Sequence, residues 1–273
     1  MDGKAGDFGV IGVTDLTSIG SGTIVGFILG LIGGGGSILA VPLLVYVVGV
    51  ASPHIAIGTS SVAVALSAFA NLIGHARVGN VRWPCALVFS AAGIAGAALG
   101  STLGKSFDGQ KLLLLFGVLM IVIAIAMLVR KPAGSDDFEP LTPKSASRLL
   151  PRLLGMGGLV GALSGFFGIG GGFLIVPGLM VAARLPMIIA IGSSLVAVTS
   201  FGLTTAASYA MSGLVDWHIA MFFISGGLIG GLAGTALAHK LASGKTLLTK
   251  VFAGVVAIVG FYIVTRGFLS LVN

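Results

Sequence analysis

The chain has 273 residues, 56% hydrophobic and only 8% charged, with a formal net charge of +7 and a mean hydropathy of +1.12. This balance excludes an ordinary soluble domain and reads as an integral membrane protein. The basic residues lie between apolar runs instead of along one stripe, so the positive charge reports membrane topology and argues against a nucleic-acid partner.

In chain order, the first seventeen residues carry Asp2, Asp7 and Asp15 against Lys4, with no basic segment or small-residue cleavage site ahead of the first apolar run. No cleaved signal peptide is therefore expected. Apolar runs follow at 19–50, 55–74, 83–104, 112–129, 153–183, 187–211, 217–238 and 247–265. Most match the ~20 residues that cross a ~30 Å hydrocarbon core as helix. Between the fourth and fifth runs, "RKPAGSDDFEPLTPKSASRLLPR" has the Pro, Ser and mixed charge of a linker. The expected organisation is a tail (1–17), a first membrane half (18–130), a polar linker (131–152) and a second membrane half (153–270).

The two halves repeat. A shift of 135 aligns "GFILGLIGGGGSILAVP" (26–42) with "GALSGFFGIGGGFLIVP" (161–177), eight identities in seventeen. A shift of 134 aligns "AIGTSSVAV" (56–64) with "AIGSSLVAV" (190–198), seven in nine, and pairs Gly79 with Gly213 and Trp83 with Trp217. This is the pattern of an internal duplication. Glycine runs interrupt the first and fifth apolar runs at matching places, and such broken segments in two repeats point to a transporter's binding site. Unwound backbone cannot face lipid, because each unsatisfied N–H or C=O there costs several kcal/mol; it must lie against protein or a wet cavity.

These motifs resemble the TauE/SafE family, the sulfite exporter family, over about residues 18–270. Each half of that family carries a glycine-rich G-x-G-G-G, then a proline, then a Ser/Thr-Ser element. Here those are Gly33 to Ser37 with Pro42 and Thr59 to Ser61, then Gly168 to Gly172 with Pro177 and Ser193 to Ser194. The resemblance implies a bacterial inner-membrane permease for a small sulfur-containing anion such as sulfite, sulfoacetate or a related organosulfonate.

Charge discriminates two topologies. Eight plain crossings, four per half, put nine Lys/Arg on one side and six on the other. If the glycine-broken runs are instead re-entrant hairpins, each half crosses three times and the halves are inverted. Eleven basic residues then share the linker's face, and Lys4, Lys105, Lys111 and Arg266 oppose them. The second split obeys the positive-inside rule far better. It places the linker in the cytoplasm and both termini outside it. Two arms of ~15 residues would each reach about 22 Å and meet near the midplane. The expected fold is thus an all-α membrane protein of two inverted repeats, each a glycine-broken hairpin plus three transmembrane helices.

The candidate site consists of Gly33, Gly34, Gly35, Gly36, Ser37, Thr59, Ser60, Ser61, Gly168, Gly170, Gly171, Gly172, Ser193 and Ser194. Consecutive glycines allow close ligand approach and can turn several N–H groups to one point, while a returning helix aims its positive end there. The hydroxyls can donate to an oxyanion or bond to neighbouring backbone, and both readings stand. Pro42 and Pro177 sit at a first helical turn or kink the returning arm. Gly226, Gly230 and Gly234, like Ala92, Gly96 and Gly100, have the spacing of tight helix contacts. Trp83 and Trp217 read as interface anchors.

All eight carboxylates fall at run ends, in the linker or in loops, so a cation pump is not expected. "SGKT" (243–246) lacks the upstream glycine of a phosphate-binding loop, His239 standing there instead. No metal spacing and no nucleophile with His and acid partners occurs at membrane depth, so neither a cofactor nor a metal is expected and an intramembrane enzyme is disfavoured. Cys85 reads as packing. The expected partners are a small anionic substrate and the lipid bilayer. A channel-like uniporter, a permease for another small anion and a non-transporting scaffold are the rival readings, and the oligomeric state, homo-oligomer or monomer, stays open.

Overall fold

The computed structural model describes residues 12–129, 145–168, 172–241, 254 and 256–265. Among these residues the regular structure is entirely helical. Helix α1 (Val13–Ile32) is followed by a 3-10 segment (Gly33–Leu39), the short α2 (Ala40–Leu43) and a π turn (Leu44–Val48). Then come α3 (Pro53–Arg77), α4 (Trp83–Lys105), α5 (Gly109–Val129), α6 (Ala146–Phe167), α7 (Gly172–Ala183), α8 (Met187–Ala210) and α9 (Trp217–Leu241). A last apolar helix, α10, covers Val256–Thr265. Among the described residues seven helices are long and apolar enough to cross a membrane: α1, α3, α4, α5, α6, α8 and α9.

The sequence accounts for the boundaries. Pro53 and Pro84 occupy the first turns of α3 and α4, where a missing N–H costs nothing. Gly33, at φ +72, ends α1, Gly49, at φ +87, ends the first returning arm, and Gly168, at φ +65, ends α6. Each holds a conformation that a side chain would resist. The polar stretch expected as linker is partly helical, since α6 starts at Ala146 and runs through Pro151.

Glycine governs the packing. A Cβ on Gly22, Gly26 or Gly30 would overlap the carbonyl oxygen of Phe223, Gly227 or Gly231, in rising order, so α1 and α9 run parallel with their backbones in contact. Gly157, Gly161 and Gly165 meet the carbonyls of Phe89, Gly93 and Ala97 in the same way, so α6 and α4 run parallel. The small residues expected at helix contacts are there, with Gly230 and Gly234 against Thr23 and Phe27, and Gly96 and Gly100 against Gly158 and Ala162. Without a hydrophobic drive between helices in lipid, this close approach supplies dispersion contact.

Helices α3 and α8 form the centre, with 72% of each span buried against 33% for α5. They are antiparallel: Gly58, near the start of α3, meets Leu214 past the end of α8, while Gly192, near the start of α8, meets Asn80 past the end of α3. Stacked Phe89 and Phe201 bridge α4 and α8. Ser67 and Asn71 of α3 touch Gly227 and Gly231 of α9 in rising order, so α3 parallels α9 and therefore α1. The chain from Gly33 to Ser52 must double back between two parallel helices. The arms of this hairpin are unequal, contrary to the matched ~15-residue arms expected. The first is a 20-residue helix, about 30 Å long and a full span, and the return is a patchwork of 3-10, α and π turns.

Trp83 and Trp217 begin α4 and α9 and are 46% and 59% exposed. Cys85 is buried as expected for a packing residue.

Candidate functional site

The 3-10 segment of the first break packs against α7 and α8, and Gly168, at the second break, packs against α3. Gly33 has φ +72 and ψ −142, open in practice only to glycine, and its position is filled tightly: a Cβ would lie 2.8 Å from the Ile191 carbonyl oxygen and 2.9 Å from Ser194 Oγ. The next residue turns its N–H into α8, Gly34 donating to Ser194 Oγ at 3.1 Å. On the other side, a Cβ on Gly168 would overlap the Ile57 side chain of α3, and the Gly168 carbonyl accepts from Ser61 Oγ at 2.9 Å. Each break is thus held by a hydroxyl from the opposite half of the chain.

Two more hydroxyls reach across in the same manner. The N–H of Asp216, in the α8–α9 loop, donates to Thr59 Oγ1 at 2.9 Å, and the N–H of Arg82, in the α3–α4 loop, donates to Ser193 Oγ at 2.9 Å. Thr59 and Ser193 stand 134 apart, as do Arg82 and Asp216. Both hydroxyls are fully buried, and each satisfies the backbone donor of a loop residue from the opposite half.

Of the two readings of the hydroxyl protons, backbone bonding is the one observed for most of the set. Ser60 donates to the Ile57 carbonyl at 3.0 Å, Ser194 to Ile191 at 2.7 Å and Ser37 to Gly34 at 2.9 Å, while the single Ser61 proton is shared between the Ile57 carbonyl, at 2.8 Å, and that of Gly168. Gly33, Gly34, Gly36, Ser37, Thr59, Ser60, Ser61, Gly168, Ser193 and Ser194 are all buried. Gly35 lies within the 3-10 segment and Gly172 starts α7, while Gly170 and Gly171 fall outside the described residues. Pro42 stands in the first turn of α2, and Pro177 lies inside α7, so both prolines are on the returning arms.

Further buried polar groups lie outside the candidate set. Tyr209, Thr205, Ser90 and Ser164 are buried, and their hydroxyls find no hydrogen-bond partner; the same holds for Asn71 Nδ2, although Asn71 Oδ1 accepts from Thr235 at 3.0 Å. Single Ser, Thr and Tyr in apolar runs carry no spacing signal, so the sequence does not mark them. Lys105, an exception to the charge split, is held at the end of α8, donating to the Ser208 carbonyl at 3.2 Å and Ser212 Oγ at 3.0 Å, where a cation suits the helix dipole. Asp15 caps α1 and lies 2.9 Å from His218 at the start of α9. Among the described residues no cluster of His, Cys, Asp or Glu is arranged to hold a metal ion.

Residues 18–263 match the family model described as sulfite exporter TauE/SafE. A "probable membrane transporter protein" of Xylella fastidiosa strain Temecula1 is 54% identical over 257 residues, covering 94% of this chain and 97% of its own length. The "probable membrane transporter protein YunE" of Bacillus subtilis strain 168 is 27% identical over 269 residues, covering 91% and 97%. A "probable membrane transporter protein" of Haemophilus influenzae is 27% identical over 198 residues, covering 70% and 72%. No solved structure matches the chain. With the family model spanning almost the whole chain, and a relative more than half identical along nearly its full length, the chain belongs to the TauE/SafE sulfite exporter family.

Proposed function

We propose that the chain is a secondary permease that exports a small sulfur-containing anion, sulfite or an organosulfonate such as sulfoacetate, across the bacterial inner membrane. The observation that carries the reading is the pair of glycine breaks, each turning backbone polar groups toward hydroxyls of the opposite half. An N–H such as that of Gly34, now donated to a serine oxygen, is equally a donor to an oxyanion oxygen once the halves part. No carboxylate lies at the breaks among the described residues, which favours anions over cations.

The proposed mechanism is alternating access between two inverted halves. Its support is a series of contacts that recur at a spacing of 134 or 135. The bonds Asp216–Thr59 and Arg82–Ser193 correspond, as do the backbone approaches at Gly58 and Gly192, Gly26 and Gly161, and Gly22 and Gly157. The antiparallel run of α3 and α8, which correspond under the same shift, fits an axis in the membrane plane. In the proposed arrangement the linker would lie on one face and both termini on the other, with the linker face cytoplasmic by the positive-inside rule. An anion then leaves down the membrane potential, worth ~2.3 kcal/mol per charge per 100 mV.

The test is ligand-dependent thermal stability of detergent-purified protein. Sulfite or sulfoacetate should raise the melting temperature in a saturable way, and amino acids, choline and sodium should not. A response confined to cations would overturn the anion reading.

A further inference from the structure

Where α6 begins and α7 ends, Arg148, Arg152 and Arg184 surround a cavity of about 100 Å³ closed by Leu149, Ala182 and Ala183. That is well below the ~300–1,000 Å³ of a drug-sized pocket and suits one small polar group. Arg148 and Arg152 are one helical turn apart and share a face. Arg184 comes from the α7–α8 turn and has φ +51, the one described non-glycine residue in the left-handed region. Its neighbours Ala183 and Leu185 are fully buried, so the reversed backbone sends this side chain outward. The first returning arm ends at the corresponding place in Gly49, which takes the same conformation without strain. An arginine kept where glycine would be easier indicates a use for the guanidinium. Among the described residues none of the three guanidiniums has a carboxylate partner.

A second cavity, about 510 Å³, adjoins the first and shares Arg152 and Ala182 with it. Its other walls are apolar: Pro151, Gly155, Met156, Leu159 and Val181. Gly155 keeps it open, since nothing lies within 4 Å of where its Cβ would be. Exposed Leu154 and Leu159 continue the apolar surface along α6. A cationic pocket for a phosphate-sized group, opening directly into an apolar groove, has the two-part chemistry of a phospholipid.

We propose that the α6–α7 face holds one anionic glycerophospholipid, its phosphodiester between Arg148, Arg152 and Arg184 and an acyl chain along the groove over Gly155. Guanidiniums bind phosphate oxygens in bidentate fashion, and basic pockets between transmembrane helices take anionic headgroups. The first half of the chain has Val13, Thr17 and Gly49 at the corresponding positions, so the site exists on one side of the membrane only.

The full-length protein in detergent is titrated with phosphatidylglycerol, phosphatidylcholine, glycerol 3-phosphate and inorganic phosphate, following the melting temperature. Phosphatidylglycerol should stabilise it and phosphatidylcholine should not. Combining Arg148→Gln with Arg152→Gln should raise the phosphatidylglycerol needed for half-maximal effect at least tenfold. Arg77→Gln, which removes an exposed charge elsewhere, should change it less than twofold. Gly155→Leu, which fills the groove, should weaken phosphatidylglycerol at least fivefold and leave glycerol 3-phosphate unchanged. Every variant is exposed or faces open space, so its lipid-free melting temperature serves as the folding check. Equal stabilisation by phosphatidylcholine, an unaltered titration in the Arg and Gly155 variants, or full reproduction of the effect by inorganic phosphate would overturn the proposal.

Discussion

Replacing Gly33 with alanine adds one methyl group where the α1 hairpin turns. At φ +72 and ψ −142 the new residue is strained by about 1–3 kcal/mol. Its Cβ would start 2.8 Å from the Ile191 carbonyl oxygen and 2.9 Å from Ser194 Oγ, whereas ordinary contact begins near 3.4 Å, so α8 must give way by about 0.5 Å. Ser194 moves first, and the buried Gly34–Ser194 hydrogen bond, worth about 0.5–1.5 kcal/mol, is weakened with it. Together these effects come to about 2–4 kcal/mol, concentrated at the junction of the two halves. Gly79→Ala is the control: its φ is +77 but nothing lies within 4 Å, so it carries only a backbone cost of about 1–2 kcal/mol and no clash with α8. The assay is sulfite flux in proteoliposomes, with gel-filtration profile and melting temperature measured beside it. Gly33→Ala should lose at least 90% of flux while still eluting as a single folded species, and Gly79→Ala should keep most of it. Wild-type flux from Gly33→Ala would refute the reasoning.

The cross-chain hydroxyls give a matched pair: Thr59→Val and Ser193→Ala each remove the acceptor of a part-buried backbone N–H and should each cost about 0.5–1.5 kcal/mol, read as similar drops in melting temperature. A loss at only one of them would break the correspondence between the halves. Gly26→Leu and Gly161→Leu should both abolish folded protein, because each side chain would enter the backbone of the facing helix, whereas Gly20→Ala, with open space beside it, should be tolerated. His218→Gln should shift the melting temperature little, since the His218 side chain is 67% exposed and such ion pairs contribute about 0–1 kcal/mol. In a Cys85→Ser background, Val78→Cys and Met211→Cys, at exposed ends of α3 and α8, should react with an impermeant thiol reagent from opposite sides of the membrane. Reaction from one side would sink the inverted arrangement.

Glycine spacing made much of the architecture legible in advance. Gly226, Gly230 and Gly234 on α9, and Gly96 and Gly100 on α4, have a four-residue spacing that close helix contact explains, and they do meet facing backbone; the breaks at Gly33 and Gly168 appear as positive-φ turns. The unequal hairpin was not legible, because 3-10 and π turns share the composition of the α-helix they replace and differ only in hydrogen-bond register. The candidate serines could be found by their repetition, but their partners could not. Thr59 and Ser193 bind backbone N–H groups of loop residues, and a backbone donor leaves no trace in residue type. The arginine cavity was hidden for a related reason. Arg148, Arg152 and Arg184 read as positive-inside charges, and only the reversed turn at Arg184 brings the third beside the other two.

Radiolabelled sulfite efflux from proteoliposomes containing the purified protein, driven by an inside-negative potential, tests the central claim most directly. Saturable efflux is expected that exceeds protein-free liposomes, is inhibited by sulfoacetate but not by choline or sodium, and falls when the potential is collapsed. No efflux above protein-free liposomes, from protein that is monodisperse and correctly inserted, would contradict the account.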